Sequence, residues 1–154
     1  MDFCKVALIG MVPVMTVIIF MQVILRYIFL SPLSWPEELA RYLMVWISCL
    51  GSAYAVRKGM HISIVFIKNK LPQSAQAGVT IGIHLLVIIF FIFGVVQGFK
   101  LSFSQWIEHT AALELPMTYP TIAIPIGFAM MIMFTLELLI QDIKELLPAN
   151  KRNI

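Results

Sequence analysis

Two adjacent carboxylates and a guanidinium one helical turn later are the residues of this sequence best suited to chemistry. They are Glu37, Glu38 and Arg41, within Ser34-Trp35-Pro36-Glu37-Glu38-Leu39-Ala40-Arg41. Paired carboxylates can work as general acid and base, but only when both reach the same substrate. Neighbours on a helix diverge by about 100°, so Glu37 and Glu38 do not face each other. Their spacing favours a structural role. Ser34 and Glu37 have the S-x-x-E pattern of a capping box. Pro36 falls in a first turn, where its missing N–H costs nothing, and both acids suit the positive end of a helix. Arg41 lies four residues after Glu37 and three after Glu38, within reach of either along one helix face. Trp35 is a residue type of membrane–water interfaces. The stretch reads as a capped helix start whose charges need partners on another segment or subunit.

The other polar residues are scattered. Gln22 and Arg26 share a helix face. Arg26 either snorkels to water or pairs with Glu37, Glu38 or a partner. His84 stands one turn after Thr80 and reads as a hydrogen-bonded interior histidine. A bis-histidine haem would need a second histidine at its depth, whereas His61 and His109 fall at opposite membrane edges. Glu137 reads as the start of a solvated face continued by Gln141, Lys144 and Glu145. Cys4 and Cys49 read as buried thiols. No P-loop, GxSxG, HExxH or dinucleotide fingerprint occurs. We therefore expect no catalytic residue, no cofactor and no metal.

What positions these residues is a membrane. Of 154 residues, 60% are hydrophobic and 12% charged, and mean hydropathy is +0.93. A soluble fold carries about twice that charge. The apolar segments are continuous, so a β-barrel is excluded. A crossing takes about 20 residues, and four runs qualify. The expected fold is all-α, a single membrane domain over 1–154 with spans near 6–30, 37–58, 77–99 and 121–143. The first run is too long for a signal peptide and has no cleavage site after it. Short interfacial segments are expected near 61–71 and 100–109, the latter because Lys100, Ser104 and Glu108 recur at helical spacing. Small residues in Leu50-Gly-Ser-Ala-Tyr-Ala55 would allow close helix contact. Lys5, Arg57, Lys58, Lys68, Lys70, Lys144, Lys151 and Arg152 fall on one side of a four-span topology, and Arg26, Arg41 and Lys100 on the other. The excess puts both termini in the cytoplasm. The small net charge of +3 does not suggest nucleic acid.

Several of these residues carry a resemblance. Arg26-Tyr27, Ser34-Trp35-x-Glu37-Glu38-x-x-Arg41, Trp46, Gly51, Ala55 and Gly59-Met60-His61-Ile62 resemble the small (Q) membrane subunit of tripartite ATP-independent periplasmic (TRAP) transporters. Length, four spans and inward termini match over nearly the whole chain; the motifs lie within 26–62. The resemblance implies a non-catalytic subunit of the bacterial inner membrane. It would brace a large membrane subunit that carries the substrate and sodium sites. A periplasmic binding protein would deliver an organic acid, such as a C4-dicarboxylate or a sialic acid, to the outer face. Arg26, Ser34, Trp35, Glu37, Glu38, Arg41 and Trp46 would then serve subunit contacts or structure. Gly59 and His61 would shape the inner turn. Two other classes fit the size: a self-contained four-helix exporter and a haem- or quinone-anchoring subunit. The first needs an acid in its first span, and Val6–Leu30 has none; the second lacks its second histidine.

Overall fold

The protein is described from a computed structural model covering residues 3–31, 33–58 and 73–150, with side chains from 78 to 144 in the last stretch. Among the described residues five helices form: α1 (Phe3–Tyr27), α2 (Trp35–Arg57), α3 (Gln73–Ser104), α4 (Thr118–Thr121) and α5 (Ala123–Asn150). Four segments are long and apolar enough to cross a membrane: Phe3–Tyr27, Trp35–Arg57, Gly78–Ser104 and Thr118–Lys144. Lipid offers no partner to backbone polar groups, so an apolar run of this length closes its hydrogen bonds on itself as a helix. The protein is thus an all-α, multi-pass membrane protein. The last segment is broken at Ile122, which is a turn rather than a helical residue. Pro125 explains the break: it has no N–H to offer Thr121.

The long helices stand in a row rather than a bundle. Among the described residues α1 packs on α2, α2 on α5 and α5 on α3, while α1 reaches neither α3 nor α5 and α2 does not reach α3. The row α1–α2–α5–α3 is one helix thick. Two broad apolar faces result, with Val12, Val17, Phe20, Leu86, Ile89, Phe93 and Met133 among their exposed side chains. The little core there is joins Cys4, Ala53, Val56, Phe91, Met131 and Phe134.

Glycine sets the closest approaches. A methyl group added at Gly94 would stand 2.9 Å from the Phe128 ring, and one at Gly98 would stand 3.0 Å from Pro125 Cδ. These two lie four apart on α3, the small-xxx-small spacing of close-packed membrane helices. On the other side of α5, the same addition at Gly127 would meet Cys49 Cβ at 2.8 Å. The sequence pointed instead to residues 50–55. Ala53 is indeed fully buried, but Gly51 has nothing nearer than Leu8 Cδ2 at 4.0 Å. Its lack of a side chain is not what permits α1 to approach.

The expected arm at 100–109 does not continue as a helix. α3 ends at Ser104, and the chain folds back through 105–117. His109 and Pro116 form an antiparallel bridge. The Thr110 N–H donates to the Leu115 carbonyl at 3.0 Å, and the Leu115 N–H donates to Thr110 Oγ1 at 3.2 Å. Helical spacing at Lys100 and Ser104 was genuine, but Glu108 lies in this loop. The segment near 61–71, with Gly59 and His61, lies outside the described residues.

Candidate functional site

The densest polar structure lies where α2 begins. Pro36, in the first turn, is buried, and it seats the helix start. Ser34 is the N-cap residue, but its side chain makes no capping bond. The expected capping box is therefore absent, for a local reason. Ser34 has helical angles (φ −85°, ψ −29°), whereas a capping side chain reaches back only from an extended backbone.

The two acids go separate ways. Glu37 Oε1 accepts from Arg41 Nη2 at 3.2 Å, and both side chains are more than half exposed (60% and 69%). Such a pair contributes little. Glu38 instead reaches across to the 105–117 loop. Its Oε2 accepts the Leu113 N–H at 2.8 Å and the Ala112 N–H at 3.1 Å. The Tyr42 hydroxyl, one turn on, faces the same carboxylate and Thr110 without forming a hydrogen bond of good geometry. Glu114, in the left-handed region at φ 52°, closes the tight turn that presents the two amides.

Two further bonds secure the same junction. Trp46 Nε1 donates to the Tyr119 carbonyl at 3.2 Å, tying α2 to α4. The Thr118 hydroxyl donates to the Ser102 carbonyl at 2.9 Å, tying α4 to α3. Through Glu38 and Trp46, α2 thus organises the whole connection between α3 and α5. Trp35 is partly exposed at the rim. Arg26 pairs with neither Glu37 nor Glu38: Glu37 holds Arg41, and Glu38 holds the loop amides. The Arg26 guanidinium lies 6.0 Å from the Tyr27 ring, with no carboxylate in reach among the described residues.

The far end of the row holds a pair that the spacing did not reveal. His84, 5% exposed, has Nδ1 2.8 Å from the Thr80 carbonyl and Nε2 3.8 Å from Asp142 Oδ2. The histidine reads correctly as an interior residue one turn from Thr80. Asp142 sits on α5, and no local pattern could join residues of two helices. Arg57, at the end of α2, lies over the Phe134 ring of α5 at 5.3 Å. Glu137 is exposed. Among the described residues no three His, Cys, Asp or Glu side chains converge as a metal site would require, and no disulfide joins Cys4 to Cys49.

Among the described residues these contacts tie the start of α2 to the 105–117 loop and to α4. Comparison with known proteins supplies the family. The family model for tripartite ATP-independent periplasmic transporters, DctQ component, matches residues 15–145. The chain belongs to the DctQ family. The sialic acid TRAP transporter small permease protein SiaQ of Vibrio cholerae is 25% identical over 126 residues, 82% of this chain and 73% of that protein. The C4-dicarboxylate TRAP transporter small permease protein DctQ of Rhodobacter capsulatus is 30% identical over 104 residues, 64% of this chain and 44% of its own length. The isethionate TRAP transporter permease protein DctMQ of Oleidesulfovibrio alaskensis is 27% identical over 130 residues; they cover 79% of this chain but 20% of that longer protein. Among curated small-permease relatives this DctQ-family chain spans 44%, 45%, 73% or 80% of their length. The DctQ match runs through both the α2 start and the 105–117 loop, so the whole Glu38 junction lies inside it.

Proposed function

We propose that this chain is the non-catalytic small membrane subunit of a sodium-coupled, binding-protein-dependent TRAP transporter, and that it braces the scaffold of the large membrane subunit. One observation carries the reading: the row is one helix thick, with apolar side chains exposed on both faces. A wall of this kind buries too little to act alone, and it has one face for lipid and one for a larger protein. The long DctMQ relative supports the pairing, since a DctQ-like stretch makes up part of that permease chain. The distribution of basic residues supports cytoplasmic termini and an inner-membrane location. On that topology the Glu38 junction faces the periplasm, where a substrate-binding protein would dock transiently. The substrate class is an organic acid, in keeping with relatives named for sialic acid and C4-dicarboxylate.

The test is uptake into proteoliposomes containing the large subunit and binding protein, with and without this chain. We expect sodium-driven uptake of the acid only when this chain is present. Full rate and full complex yield in its absence would overturn the bracing role.

A further inference from the structure

Between the last turn of α1 and the first turn of α2 lies a cleft lined by Gln22, Arg26, Leu33, Ser34 and Glu37. Four of these five side chains are polar, and among the described residues none bonds another across the cleft. The Arg26 guanidinium lies over the Tyr27 ring, 6.0 Å from its centre. Ser34 makes no capping bond. Glu37 holds Arg41 through Oε1, which leaves Oε2 open. Gln22 stands one turn before Arg26 on the same face of α1, so the amide and the guanidinium point the same way. A guanidinium without an acid and a carboxylate with an open oxygen therefore share one cleft without neutralising each other.

The surroundings are those of a membrane surface. Tyr27, Ile28, Phe29 and Leu30 beside the cleft are 65–82% exposed, and Leu30 turns the chain in the left-handed region at φ 50°. Toward the middle of α1 the cleft's face continues through Val23 and Ile19, which are apolar and exposed. A ligand fitting this place carries an anion and a hydrogen-bonding cation at one end and hydrocarbon at the other.

We propose that the cleft binds the headgroup of a primary-amine phospholipid, with the phosphate on Arg26 and Gln22 and the ammonium on Glu37. The guanidinium fork matches two phosphate oxygens. An ammonium brings three donors to the open carboxylate oxygen. A choline headgroup brings none, and a glycerol headgroup brings hydroxyl donors but no positive charge to the Glu37 oxygen that Arg41 leaves open. The two opposite charges in the cleft thus select phosphatidylethanolamine over both. The acyl chains lie along Val23 and Ile19.

The experiment is native mass spectrometry of the delipidated full chain in detergent. It is titrated with phosphatidylethanolamine, phosphatidylglycerol and phosphatidylcholine of identical acyl chains. Phosphatidylethanolamine binds tightest. Arg26→Ala weakens phosphatidylethanolamine and phosphatidylglycerol alike, each by about tenfold, the loss expected for one charge-assisted contact; Arg26→Lys falls between. Glu37→Gln removes the preference for phosphatidylethanolamine and leaves phosphatidylglycerol as tight or tighter. Circular dichroism confirms that each variant keeps its helices. Equal binding of all three lipids, or unchanged binding to Arg26→Ala, overturns the proposal. Displacement of the lipid by inorganic phosphate also overturns it, by showing a plain anion site. So does loss of the large permease from Arg26→Ala pull-downs with lipid binding intact, which would make the cleft a protein contact.

Discussion

The two ends of the helix row are held in different ways. At one end α3 meets α5 through Gly94 and Gly98, which press against Phe128 and Pro125. Phe90 and Phe91 pack their rings on Phe128, and the Thr118 hydroxyl bonds the Ser102 carbonyl. At the other end, among the described helices, α1 leans on α2 alone. It buries only Cys4, and a methyl group added at Gly51 of α2 would meet no more than Leu8 Cδ2, at 4.0 Å. The contrast teaches where a one-layer membrane protein keeps its shape. The α2–α5–α3 part is a set piece, whereas α1 is a face awaiting neighbours.

Breaking the comparison starts at the tight end. Gly98→Val forces branched carbons against the Pro125 ring and backbone, and should cost about 1–3 kcal/mol. The measurement is thermal unfolding in detergent. Gly51→Ala, at the loose end, should stay within about 0.5 kcal/mol of wild type. Equal losses at both sites would erase the distinction. Glu38→Gln comes next. It keeps the shape of the side chain but swaps a charged acceptor for a neutral one, so the Ala112 and Leu113 amides should lose hydrogen-exchange protection before any other part of the loop. Unchanged protection there would mean the loop holds itself. Trp46→Phe removes the single bond to Tyr119 and should cost about 1 kcal/mol. Arg41→Ala should have the smallest effect, below about 0.5 kcal/mol, because its partner is exposed. A larger loss in complex yield than in the stability of the isolated chain would point to a contact outside it.

How much of this was legible follows from the kind of signal each feature leaves. The four crossings leave a strong one, since hydropathy accumulates over whole runs such as Val6–Leu30. The α2 start was visible in Pro36 and the acids after it. The capping box misled because S-x-x-E fixes spacing and not backbone angles, and Ser34 adopts helical ones. The partner of Glu38 was hidden for a different reason. It bonds the N–H groups of Ala112 and Leu113, and a backbone amide has no residue type to read. His84 was readable as an interior residue, but its neighbour Asp142 belongs to another helix. The Gly94–Gly98 spacing, by contrast, was open to view and marks the true close contact better than residues 50–55.

The order of helices in the row differs from their order in the chain. α5, which follows α3 in the chain, inserts between α2 and α3. In chain order α3 therefore precedes α5, its long neighbour among the described residues. Until α5 follows, Gly94 and Gly98 have no Phe128 or Pro125 to meet, and the 105–117 segment lacks the anchor that α4 supplies. The wall is continuous only with α5 in place between α2 and α3, so the insertion of that span is the step that joins its two halves.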